Sequence, residues 1–172
     1  STTYIAFVAL LILASYVQGG VALHYVGGRI YTTCDIAVGE DTIAANLIVD
    51  LGMSYPLILD KEFASTLESK DNTTTVIFSK TSRMANIQFQ TTELNELREY
   101  SKKYATQLKE IPICGIIGLP AFENTAISLD IQAGTLEYGD AISAGDDWQS
   151  VDLIQTESGG FQSGWSRRDW PG

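Results

Sequence analysis

Between residues 30 and 138, apolar and polar positions alternate in short runs broken by Gly, Asn and Asp, the pattern of half-buried strands. Residues 30–38 and 42–49 are rich in β-branched side chains and flank the turn Gly39-Glu40-Asp41, which predicts a hairpin ending at Asp50. Residues 56–59 predict another short strand. Residues 60–68 predict a short helix with Asp60 as N-cap. Further hairpins are expected from 75–78 with 84–90, and from 127–131 with 135–138 around Gln132-Ala133-Gly134. The run 113–119 is apolar throughout, as a strand buried on both faces requires, and 120–124 reads as a short helical turn. Only 92–109 has soluble-helix spacing, with Leu94, Leu97, Tyr104 and Leu108 on one stripe. Thr92 is placed to cap it, Glu93 and Glu96 suit its N-terminus, and Pro112 stops it.

The two ends of the chain are different. Residues 4–17 carry no charge and are hydrophobic on all sides; as a helix they would span about 21 Å. Their flanks bring the stretch close to the roughly 30 Å of a bilayer core. A signal peptide, a retained anchor and a buried helix all fit such a run. No Lys or Arg precedes Arg29, which argues against a signal peptide. The expectation is a single-pass transmembrane anchor over 1–23, inserted through 4–23, with Gly19-Gly20 and Gly27-Gly28 marking its exit. Beyond Gly139 the chain is rich in Gly, Ser and Asp yet holds Trp148, Phe161, Trp165 and Trp170, so 140–172 reads as an extended arm. Its aromatics suit a membrane interface or anchoring contacts to partner subunits.

Composition narrows the field. A chain of 172 residues with a formal net charge of −10 has one domain's worth of core and no basic face, which excludes nucleic acid as partner. Cys34 and Cys114 sit in strand-like runs and suit either two small core side chains or one disulfide. With a single histidine, His24, and no close Cys or His spacing, no metal site is expected. Nor is there a phosphate-cradling Gly loop or a haem attachment motif, so no cofactor is expected. Asn72-Thr73-Thr74 is a glycosylation sequon in a polar loop, meaningful only in a eukaryotic secretory pathway.

The chemistry-bearing stretch is Asp50-Leu51-Gly52-Met53-Ser54. A carboxylate ending an apolar strand is either an Asx-type turn former or half of a proton-sharing pair. The stretch Leu47-Ile48-Val49-Asp50-Leu51-Gly52-Met53-Ser54, followed by Leu57-Ile58-Leu59, resembles the first signature of the retropepsin-like aspartyl peptidases. Gly115-Ile116-Ile117-Gly118-Leu119-Pro120-Ala121-Phe122 and Leu129-Asp130-Ile131-Gln132-Ala133-Gly134-Thr135-Leu136 resemble their second, with a flap-like hairpin between. The resemblance implies a mainly β, closed acid-protease barrel over 29–139 with one added helix. It also implies a catalytic Asp50 paired with Asp50 of a second copy, in a turn completed by Leu51, Gly52 and Ser54.

The turn departs from that pattern. Leu51 stands where the family has Thr or Ser, whose hydroxyl braces the two turns of a dimer, and Met53 is bulky where a small residue is usual. Cys114 replaces an acidic residue, and the helix over 92–109 is large enough to cover a dimer edge. The expectation is therefore a non-catalytic accessory subunit, membrane-anchored, its domain outside the cytoplasm. It would stabilise a larger membrane protein complex, such as a respiratory or photosynthetic one. A membrane-tethered homodimeric aspartic peptidase is the alternative.

Overall fold

The computed structural model describes residues 17–122, 125–139, 153–155 and 161–163. The chain forms β1 (Val17–Ala22), β2 (His24–Val26), β3 (Arg29–Val38), β4 (Asp41–Asp50), β5 (Leu57–Asp60), α1 (Lys61–Ala64), β6 (Thr73–Ile77) and β7 (Arg83–Thr92). It continues with α2 (Asn95–Lys103), β8 (Ile113–Gly118), a 3-10 turn (Leu119–Phe122), β9 (Ala126–Asp130), β10 (Thr135–Gly139), β11 (Leu153–Gln155) and β12 (Phe161–Ser163).

Six strands close into a barrel in the order β3-β4-β8-β5-β7-β6, with β6 pairing back onto β3 and β2 extending from β3. The β3–β4 hairpin pairs Val38 with Asp41 at its turn and Tyr31 with Ile48 near its open end. β8 enters between β4 and β5, parallel to the first and antiparallel to the second, and so needs side chains apolar on both faces. Closure depends on a kink. Between Thr74 and Val76 the β6–β7 ladder shifts register opposite Asn86, whose φ is +57°. This extra residue bends the hairpin so that Val76 and Ile77 reach Ile36 and Asp35 of β3.

Alternation sorts β4 into two environments. Ala45 and Leu47 join Cys34, Ile36, Leu57, Leu59 and Ile117 in the main core. Ile48 faces outward with Tyr31 and Ile113, where Leu97 and Leu108 from the α2 region cover them. Each fully buried aliphatic contributes about 1.5–3 kcal/mol relative to exposure. A three-stranded sheet, β1-β10-β9, packs Val21, Leu136 and Tyr138 onto the main core.

The sequence expectation of a mainly β closed barrel with few helices holds. Several local expectations need correction. Val17–Ala22 is not the distal part of a helix: it is a strand paired with β10, and its two glycines lie within the ladder. Residues 1–16, the rest of the expected span, lie outside the described residues, among which no helix is long and apolar enough to cross a membrane. Thr92 ends β7 and does not cap α2, whose N-cap position is Leu94 without a side-chain cap. The helix stops at Lys103, ahead of Pro112, and the chain turns through Lys109 and Glu110, both at positive φ. Asp60 occupies the N-cap position of α1, but its carboxylate does not cap it. Within the expected arm, β11 and β12 form a two-stranded ladder; Trp148, Trp165 and Trp170 lie outside the described residues, and Phe161 is placed as the first residue of β12.

Candidate functional site

Asp50 is the last residue of β4, at the end of the barrel opposite the β3–β4 turn. Its carboxylate Oδ1 accepts the Gly52 N–H at 3.0 Å, and its carbonyl accepts the Met53 N–H at 3.2 Å. These bonds make an Asx-type turn stacked on a β-turn, which an Asp followed by a Gly two residues on forms readily. Asp50 is exposed, so the single carboxylate is solvated rather than buried.

Across the parallel ladder, Asp50 lies beside Gly118, which ends β8. Gly118 is there because nothing larger fits. A Cβ would overlap the Tyr55 carbonyl oxygen and stand 3.0 Å from Met53 Cε. The Gly118 N–H donates to the Pro56 carbonyl at 3.0 Å, so the segment after the turn is sewn to β8. Gly115 has the same role one turn of pattern earlier, where a Cβ would overlap the Ile58 carbonyl oxygen. Asp50 and Gly118, far apart along the chain, thus meet at one end of the barrel.

The turn's other members divide by environment. Leu51 is half-buried and packs on the main core, Met53 lies over Gly118, and Ser54 is exposed. The loop at the tip of the β6–β7 hairpin lies towards the same barrel end, because β6 runs antiparallel to β3. It is not a free arm. Ser82 is fully buried, its hydroxyl is 3.1 Å from the Tyr138 hydroxyl, and its carbonyl accepts the Phe78 and Ser79 N–H groups.

At the opposite end, a pocket of about 550 Å³ opens between α1 and the α2 region, floored by Phe63, Ile111, Pro112 and Cys114. Two of its charged groups, Asp60 and Arg98, are committed to structure. Asp60 accepts the Leu94 N–H at 3.0 Å and both Arg98 Nε and Nη2, at 3.1 and 2.8 Å. Burial pushes the Asp60 carboxyl up, but these donors outweigh it and hold it below the usual carboxylate range. Nearby, Asn46 is fully buried: its amide donates to the Ile111 and Leu108 carbonyls and accepts from the Thr33 hydroxyl. Asn46 is a lone amide among apolar neighbours in a buried strand, and that isolation is the signal the sequence offers for it.

Cys34 and Cys114 are free thiols on β3 and β8 with β4 between them. Two strand spacings put their backbones about 9 Å apart, beyond the roughly 7 Å that a disulfide spans. Burial pushes the Cys34 thiol up to about 12, helped by neighbouring Asp35, and raises Cys114 likewise. Among the described residues no cluster of His, Cys, Asp and Glu is arranged to hold a metal ion. No protein-family model, no curated protein and no solved structure matches the chain.

Proposed function

We propose that this chain is a retropepsin-like barrel that does not cut peptides itself and serves as an accessory, scaffolding subunit of a membrane protein complex. The observation that carries this reading is Leu51. The residue that would brace a second copy with a hydroxyl is instead a half-buried leucine packed against its own barrel's core. Met53 over Gly118 and the fastened Ser82 tip agree with it, since both suit a fixed end of the barrel better than one that admits a peptide. Anchoring rests on the apolar run before β1, because Val17–Ala22 belongs to the sheet. The acidic surface favours protein partners over nucleic acid.

The test is isolation of the full chain from its native membrane with mild detergent, followed by mass spectrometry. Stoichiometric co-purification of other subunits is expected, unchanged by Asp50→Asn. A chain recovered alone after cross-linking would sink the scaffold reading. The exposure of Asp50 favours one second reading, the homodimeric aspartic peptidase, because a solvated carboxylate is open to approach by another copy. That reading requires peptide cleavage at mildly acid pH that disappears in Asp50→Asn.

A further inference from the structure

We propose that Asn72 is an N-glycan acceptor and that the pocket beside it, against Tyr55, seats the first sugars of the glycan. The inference rests on the proposed membrane-anchored scaffold having its domain outside the cytoplasm, as the sequence leads one to expect. Asn72-Thr73-Thr74 is the one Asn-x-Ser/Thr sequence in the chain. Asn72 is exposed at a φ of +54°, in the turn that leads into β6. That turn is built to hold its shape. Asp71 Oδ1 accepts from the Thr73 N–H and hydroxyl, Ser69 Oγ donates to the Thr73 carbonyl, and the Asn72 carbonyl accepts the Phe89 N–H at 2.8 Å. Asn72 is exposed and itself lines the pocket against Tyr55.

The pocket, about 310 Å³, adjoins Asn72 and is lined by Tyr55, Pro56, Gln88 and Gln90. Tyr55 is 44 % exposed and offers a ring face for the C–H side of a sugar. The Gln88 and Gln90 side chains stand exposed on β7 and carry amide donors and acceptors that match sugar hydroxyls and an N-acetyl group. Transfer forms a bond between Asn72 Nδ2 and the anomeric carbon of a lipid-diphosphate-linked oligosaccharide. The anomeric carbon–oxygen bond to phosphate breaks, lipid diphosphate leaves, and Nδ2 gives up one proton to the transferase's base. Thr74 must take part before folding ends, because in the folded chain its hydroxyl donates to the Ala37 carbonyl at 3.2 Å.

The full chain, expressed in eukaryotic cells behind a signal sequence and extracted with mild detergent, is measured by intact mass before and after peptide:N-glycosidase. One glycan is expected, lost in Asn72→Gln and kept in Thr74→Ser. A folded chain recovered from the secretory membranes without added mass overturns the acceptor site. For the seat, the glycosylated protein should melt roughly 2–4 °C above the enzymatically deglycosylated one, with Asn72→Asp as control for the residue the enzyme leaves. Tyr55→Ala should erase that difference. Equal melting temperatures in the wild-type background overturn the seat. Failure of the scaffold reading would show as missing partner subunits and leave the glycan mass untouched.

Discussion

The hydroxyl groups of Ser82 and Tyr138 meet at 3.1 Å, both on buried residues, and tie the tip of the β6–β7 hairpin to β10 in the three-stranded sheet. Whichever group donates, each is the other's partner in a place without solvent. Removing one leaves a buried hydroxyl unpaired. Tyr138→Phe and Ser82→Ala should each cost about 1–2 kcal/mol, and the double variant less than their sum. A double-mutant cycle by urea denaturation measures this; strictly additive values would mean that the two groups do not interact. Native-state amide exchange should also quicken at residues 78–82 in either variant.

Asp60 and Arg98 join the barrel to α2 through two N–H donors on one carboxylate, with Arg98 a third exposed. Arg98→Ala leaves the buried carboxylate with backbone N–H donors alone and should cost about 2 kcal/mol, less than a fully buried pair. The pH dependence has a definite sign. The folded-state carboxyl lies below its unfolded value of about 3.9, so its stabilisation is present above that pH and is lost as the pH falls through the folded value. Asp60→Asn should therefore flatten the acid limb of stability below about pH 4 while lowering stability at neutral pH. An acid limb of unchanged slope in that variant would show that other carboxylates carry it.

At Gly118 the barrel leaves no room for a side chain, since the Tyr55 carbonyl already occupies it. Gly118→Ala should cost about 3 kcal/mol or prevent folding, in the range of overpacked cores. Gly20→Ala is the matched control. It lies in β1 with open space around its Cβ, and strand entropy favours Ala there by about 0.5 kcal/mol. Thermal melts of the two variants should move in opposite directions.

The thiols should be silent. With Cys34 at about 12, only about one thiol in ten thousand is ionised at pH 8, before any effect of access is counted. A chromogenic disulfide reagent should react with neither cysteine in the folded chain and with both in denaturant. Fast labelling of folded protein would place one of them at the surface.

Most strands were legible because alternation is a local property: residues 30–38, 42–49 and 113–119 differ from the observed strands by a residue or two. The meeting of Asp50 with Gly118 was not legible, since nothing local links positions so far apart. Other features depended on partners that the sequence does not display. Val-Gln-Gly-Gly-Val-Ala follows an apolar run and looked like its continuation; pairing with β10 makes it a strand. Asp60 has the residue type and position of an N-cap, yet a guanidinium and a second N–H compete for its carboxylate and win. Barrel closure depends on Asn86 taking a left-handed conformation, which Asn tolerates but does not announce.

The insertion of β8 between β4 and β5 sets an order of events for the chain as it is made. Until residues 113–118 are available, β4 has only β3 beside it and β5 has only β7, so two unpaired edges wait inside the future barrel. The strand that fills the gap arrives long after both its neighbours. A nascent chain halted before it carries exposed, apolar, edge-open strands, the kind of surface that holdase chaperones bind and that aggregates form on. Folding of this barrel is thus committed late, by one glycine-bearing strand, and truncations upstream of Gly118 should yield insoluble fragments rather than a smaller fold.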